Sequence, residues 1–150
     1  MSGTVIRALP KMFYDFYNGG NALANVGESV QIVLATGISV YEYREVDLVV
    51  RIHSFNVGNT AATFAVNAYP EVPTSEDPAS DFWSSTPAVG TGTISFAGLT
   101  APYLTLATLN IFATPAWGAF LRLKLTATQS NPISNPFNFA MSIDVNAKSL

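Results

Sequence analysis

Two runs decide the fold: WGAFLRLKLTAT at residues 117–128 and FNFAMSIDVNA at residues 137–147. In the first, Trp117, Ala119, Leu121, Leu123 and Leu125 share one parity, and Arg122, Lys124 and Thr126 hold the other. In the second, Phe137, Phe139, Met141, Ile143 and Val145 alternate with Asn138, Ser142, Asp144 and Asn146. A period of two marks a strand with one face in a core and the other toward water. A slip of one residue in the second run would carry its large apolar side chains to the wet face, so the register is strongly fixed. Burying Phe137, Phe139, Met141, Ile143 and Val145 contributes on the order of 8 to 15 kcal/mol, at roughly 1.5 to 3 kcal/mol each. This is an upper bound, because the unfolded chain already hides part of that area. Asn131-Pro132-Ile133-Ser134-Asn135-Pro136 supplies the turn between the two runs.

Upstream, the same rhythm recurs in shorter pieces. Glu28 to Thr36 reads as a strand with Val30, Ile32 and Leu34 in phase, closed by Gly37. Val40 to Phe55 switches its apolar parity: Tyr41 and Tyr43 are odd, whereas Val46, Leu48, Val50 and Ile52 are even. A bulge or a bend between sheets near Arg44-Glu45 explains the switch. Val57-Gly58-Asn59 is a turn signal, after which Ala62, Phe64, Val66 and Ala68 alternate, so Val46 to Ala68 reads as a hairpin. From Pro70 to Pro87 periodicity vanishes, and Glu71, Glu76, Asp77 and Asp81 interleave with prolines in a long acidic loop that ends on Phe82-Trp83. Thr93 to Phe96 and Tyr103 to Ala113 resume as strands. Seven or eight strands with turns at short, regular spacing and no amphipathic helix predict an all-β fold, an antiparallel β-sandwich or jelly roll.

Residues 1–27 stand apart from this pattern. Val5, Ile6, Leu9, Met12, Phe13, Tyr14, Phe16 and Tyr17 crowd together before the joint Asn18-Gly19-Gly20-Asn21, and Pro10 would interrupt a helix or a central strand. The chain is therefore expected to divide into an N-terminal arm, 1–27, and a β-sandwich domain, 28–150. The arm either covers the end of its own sandwich or reaches a neighbouring subunit. It is the candidate interface, and deleting residues 1–17 is expected to abolish assembly while the sandwich stays folded.

Composition narrows function. Of 150 residues, 49% are apolar and only 11% charged, against about 25% charged in an average soluble protein. The shortfall predicts surface covered by other chains. A net charge of −3 with scattered basic residues argues against nucleic-acid binding. The absence of cysteine excludes disulfides, thiolate zinc sites and a cysteine nucleophile. Arg7, Pro10, Lys11 and Asp15 break the apolar run that a secretory signal needs, and no stretch is long and apolar enough to span a membrane as a helix.

Catalytic signatures are lacking. His53 is the single histidine and falls with Arg51 on the wet parity, where a surface or interface role is expected. No Gly-x-Ser-x-Gly elbow precedes a helix, and Gly90-Thr91-Gly92 lacks the lysine of a phosphate cradle, so it is a turn into a strand. Glu45 and Asp47 share a strand face at about 7 Å, a separation that inverting glycosidases use, but Arg44 and Arg51 are near enough to balance them. The loop acids lack the order of a calcium loop, and no metal or cofactor is expected. Tyr69, Phe82 and Trp83 offer an aromatic platform for a ligand such as a sugar or a second loop contact with a neighbour, unless Trp83 tucks under its own loop as a clasp.

The layout, with its apolar arm and the segments Tyr41 to Phe55, Trp117 to Leu123 and Phe137 to Ala147, resembles the small β-sandwich head decoration, or cement, proteins of tailed bacteriophages. What the resemblance implies is a non-enzymatic capsid subunit made in the host cytoplasm. It would form a homo-oligomer, commonly a trimer, and sit on the capsid exterior over the major capsid protein lattice. A carbohydrate- or receptor-binding β-sandwich module is the alternative from another class, and a glycan array separates the two.

Overall fold

The computed structural model describes residues 3–17, 29–40, 42–58, 62–70, 86–110, 120–129 and 136–149. They hold nine strands: β1 (Gly3–Asp15), β2 (Ser29–Ser39), β3 (Glu45–Val57), β4 (Thr63–Pro70), β5 (Val89–Gly90), β6 (Ile94–Ser95), β7 (Tyr103–Asn110), β8 (Phe120–Thr128) and β9 (Phe137–Lys148). One sheet, here sheet A, has the order β1-β9-β3-β7. Sheet B has the order β2-β8-β4-β5, with β6 also on β4. The short strands β5 and β6 share one position beside β4, which leaves eight strand positions. The first pairs with the last (β1 with β9), the second with the seventh (β2 with β8), the third with the sixth (β3 with β7), and the fourth with the fifth (β4 with β5 and β6), all antiparallel. That is a long hairpin wrapped around a barrel-like core, closed by the pairs β3–β9 and β4–β8. It is the jelly-roll topology.

The alternation read from the sequence places the core correctly. On β8, Leu121, Leu123 and Leu125 are buried, and so are Ala62 just before β4 and Phe64, Val66 and Ala68 along it. On β9 the inward set Phe137, Phe139, Met141, Ile143 and Val145 is fully enclosed. Aromatic rings tie the sheets together at one end: Phe139 of sheet A stacks on Phe64 of sheet B at 5.0 Å, and Phe96 meets Phe55, Phe64, Phe137 and Phe139 between 5.1 and 5.6 Å. Such ring pairs add to what their buried area contributes.

Three expectations change. Val46 to Ala68 is not a hairpin, because β3 lies in sheet A and β4 in sheet B. Both strands alternate, but their apolar faces oppose each other across the core instead of lying side by side. The parity switch before β3 is a bend between sheets: Tyr43 N–H donates to the Val40 carbonyl at 3.1 Å, and Arg44 N–H to the Lys148 carbonyl at 2.9 Å. Strand β2 runs through Gly37 instead of stopping there, because that glycine takes a φ of +68° beside a register shift and so lets Ile38 regain the core.

The third concerns residues 3–17, which form part of the sandwich instead of a separate arm. Strand β1 adds to sheet A as an edge strand on β9, from Gly3 against Lys148 to Asp15 against Asn138. Pro10 is tolerated because it falls on an edge strand, within the register shift between Leu9 and Met12. Leu9 and Phe16 are buried, and the Phe16 ring lies 5.3 Å from Phe137 and 5.7 Å from Phe139. Phe16 N–H donates to the Phe137 carbonyl at 2.9 Å. The boundary at residue 27 and the joint near Gly19 lie outside the described residues.

This placement makes a thermodynamic prediction. Phe16→Ala should lower the free energy of denaturant unfolding by about 3 to 5 kcal/mol, the range for truncating a buried phenylalanine. An unchanged value in the isolated protein would mean that this segment is held by a neighbour instead.

Candidate assembly surface

The residues proposed as an arm interface divide between the two sides of β1. Val5 (66% exposed), Met12 (46%) and Phe13 (62%) are exposed, whereas Leu9 and Phe16 are buried. Ile6, Tyr14 and Tyr17 are half-buried, with Ile6 and Tyr14 packed against the core and the Tyr14 ring 5.9 Å from Phe139. The exposed group lies along one edge of sheet A. The opposite edge, β7, shows Leu104 (57%) and Leu106 (58%), large apolar side chains that the sequence reading did not single out. Because β7 is apolar on both parities, from Tyr103 through Leu109, its alternation does not say which face is inward.

Between these edges the outer face of sheet A is polar yet closely packed. Ser142 and Asp144, expected on a wet face, are buried, as are Asp47 and Val49. Asp47, Ser142 and Asp144 each meet a charged or polar side chain, which offsets lost hydration. Arg7 forms an ion pair with Asp144. His53 Nε2 and Ser142 Oγ are hydrogen-bonded at 2.8 Å. With Ser142 1% exposed, its hydroxyl cannot meet a substrate, and the pair fastens β3 to β9.

Glu45 and Asp47 are likewise joined to a partner that the sequence did not suggest. Lys148 Nζ donates to Glu45 Oε1 at 2.5 Å and to Asp47 Oδ2 at 2.7 Å, and Thr108 Oγ1 donates to Asp47 Oδ1 at 2.5 Å. The strand register explains this, since Glu45 lies beside Lys148 and Asp47 beside Thr108. Desolvation raises the Asp47 pKa, but the hydrogen bonds from Lys148 and Thr108 and the Lys148 charge outweigh it, so the carboxyl stays below the usual aspartate range. Lys148 is held above the ordinary lysine value, chiefly by its bond to Asp47 and next by that to Glu45. A carboxylate held ionised by a lysine is a poor general acid, and the arrangement is that of a structural clamp between β3, β7 and β9.

Past the far end of this row, Arg51, His53, Pro102, Tyr103 and Leu104 line an open depression of about 240 Å³. Arg51 is exposed and His53 half-buried, as their parity predicted. On sheet B, Tyr69 is buried at the end of β4, with Lys124 Nζ 4.9 Å from its ring centroid. Tyr69 itself is thus covered and does not present an open ring face. Phe82, Trp83, Trp117 and the loop acids Glu71, Glu76, Asp77 and Asp81 lie outside the described residues.

No protein-family model and no curated protein matches the chain. Among solved structures, it is similar to a chain in the structure of infectious bursal disease virus, Gx strain, with a TM-score of 0.54 at 13% identity. The match covers 97% of this chain and 31% of that one, so the protein corresponds to less than a third of its structural neighbour. At that identity the likeness is one of fold. It extends over β1 as well as the remaining strands, which agrees with residues 3–15 being part of the jelly roll.

The Lys148 clamp fixes a pH signature. Because the folded-state pKa of Asp47 is depressed, its contribution is present above the unfolded value and lost as pH falls through the folded one. The raised pKa of Lys148 makes its contribution complete below the unfolded lysine value of about 10.4 and lost at still higher pH. Lys148→Met should therefore lower the melting temperature most at neutral pH, and the deficit should shrink as pH drops below the aspartate range. A deficit independent of pH would mean that the lysine stem, not its charge, is what matters.

Proposed function

We propose that this protein is a non-enzymatic structural subunit of a virus particle, and specifically a decoration or cement subunit bound to the outside of a capsid lattice. The carrying observation is that sheet A leaves large apolar residues exposed along both edges, Val5 and Phe13 on β1 and Leu104 and Leu106 on β7. Between them its acids are tied to Lys148, Thr108 and Arg7. Apolar edges around a rigid polar field suit a subunit held between neighbours, where modest contacts repeated over many copies sum to firm attachment. The jelly-roll likeness to a chain of a virus structure supports a virion setting, although a fold by itself does not carry function. The partners in this reading are a major capsid protein and further copies of this chain, a trimer being the form that the phage decoration proteins imply. The low charge of the chain favours the same reading, since few charged side chains need be desolvated when its surface is covered.

The test is to mix the purified protein with shells assembled from the major capsid protein of the same virus. Saturable co-sedimentation and a higher rupture temperature of the shells are expected. A protein that leaves sedimentation and rupture unchanged, and is absent from purified particles by mass spectrometry, would overturn the proposal. Glycan-dependent binding that Trp83→Ala erases would replace it with a receptor-binding role.

A further inference from the structure

The four edges of the two sheets are not alike. An open edge offers unpaired N–H and C=O groups to any passing strand, and proteins blunt such edges with charges, proline, bulges or very short strands. Strand β1 carries Arg7, Pro10 and Lys11 and has two register shifts. Strand β2 has two register shifts and the left-handed Gly37. The remaining edge of sheet B is broken into β5 and β6, of two residues each. Strand β7 has none of these devices. It pairs with β3 without a shift from Tyr103 to Asn110, and among the described residues nothing pairs with its other side. No charged residue occurs anywhere between Asp81 and Arg122, the interval that contains it.

We propose that β7 is a self-association edge, on which a second copy of this chain adds its own β7 antiparallel about a two-fold axis at Thr105. The sequence of the strand favours its own copy. Leu104-Thr105-Leu106 reads the same in both directions, so the axis sets Leu104 of one copy opposite Leu106 of the other and joins four exposed leucines in one apolar seam on the outer face. No like charges meet, because the strand has none.

The charges on the flanking strand β3 do not oppose this arrangement. Arg51 lies beside Leu104, with His53 next along the outer face, and Asp47 lies beside Thr108 with Glu45 beyond it. The group of Glu45, Asp47 and Lys148 carries a net charge of −1. The two-fold turns the basic end of each copy toward the acidic end of the other. The β3 strands are then three strand spacings apart, about 14 Å, which exceeds the screening length of about 8 Å at physiological salt. The charges are therefore largely screened and add little, and the leucine seam and the main-chain ladder hold the contact. The inference shares Leu104 and Leu106 with the shell reading, but it rests on the edge geometry of β7 and is read without shells. It also leaves a three-fold contact elsewhere on the surface free to form.

The chain has no cysteine, so a single introduced thiol reports the contact cleanly. Residues directly opposite in an antiparallel pair have Cα atoms about 4.5 to 5.5 Å apart, within disulfide reach. Thr105→Cys in the full chain should form a covalent dimer under mild oxidation at least tenfold faster than Thr36→Cys, which is exposed on the bulged β2 edge. Leu106→Lys, at a position already exposed and therefore neutral to folding, should weaken wild-type self-association at least tenfold by analytical ultracentrifugation. Thr105→Cys cross-linking no faster than Thr36→Cys would overturn the proposal. So would monomers that pair only with a strand of another protein. Shell binding is scored separately, so either reading can fail without the other.

Discussion

Strand β9 is the constraint on which the rest of the structure depends. It is paired along one side with β1 and along the other with β3, and from Phe137 to Val145 only Asn138 escapes burial. A strand enclosed in this way must satisfy every backbone group through its neighbours. It must also match its inward and outward faces to two different environments. The inward face is met by phenylalanines from the segment just after β1, from β4 and from the turn after β6; the outward face by Arg7 and His53, which reach Asp144 and Ser142 from the flanking strands. Removing either flank would leave acceptors buried without partners, which costs more than the contacts themselves contribute.

From that constraint follows the surface that the protein offers. A jelly roll of two sheets has open edges, and sheet A exposes its apolar residues there because the centre of its outer face is already closed by paired polar groups. The ion pair Arg7–Asp144 and the Lys148 clamp consume charge within the sheet. A chain with so few charges therefore has little left with which to discourage contact along its edges. Assembly, in this account, comes from where the apolar residues were left over once the core was filled.

Much of the fold was legible because period-two alternation is a local property. The inward faces of β4, β8 and β9 can be read from parity alone, and the parity switch near Arg44 does mark a passage between sheets. Partner choice is not local. Val46 to Ala68 looks like a hairpin because two alternating strands flank Gly58, yet nothing in either strand states that its neighbour lies across the core and not beside it. The N-terminal segment hides its place in the sheet for a related reason. Pro10 and the unbroken apolar run of Phe13, Tyr14, Phe16 and Tyr17 hide the alternation, which resumes only when bulges at Arg7/Leu9 and Leu9/Met12 are allowed for. At the candidate surface, the wet side of Arg51 was visible, but Lys148 joins Glu45 and Asp47 only through the register of β9 on β3, a contact between distant parts of the chain. Leu104 and Leu106 were not recognisable as exposed, because their strand is apolar on both parities.

Amide hydrogen exchange measures the central claim most directly. If β9 is enclosed between β1 and β3, its amides should exchange only through global unfolding, at rates that give the same free energy as denaturant titration. Amides of β1 facing β9 should be protected in the isolated protein, above those of β5 and β6. Rapid exchange along β1, with β9 protected on its β3 side alone, would contradict the account.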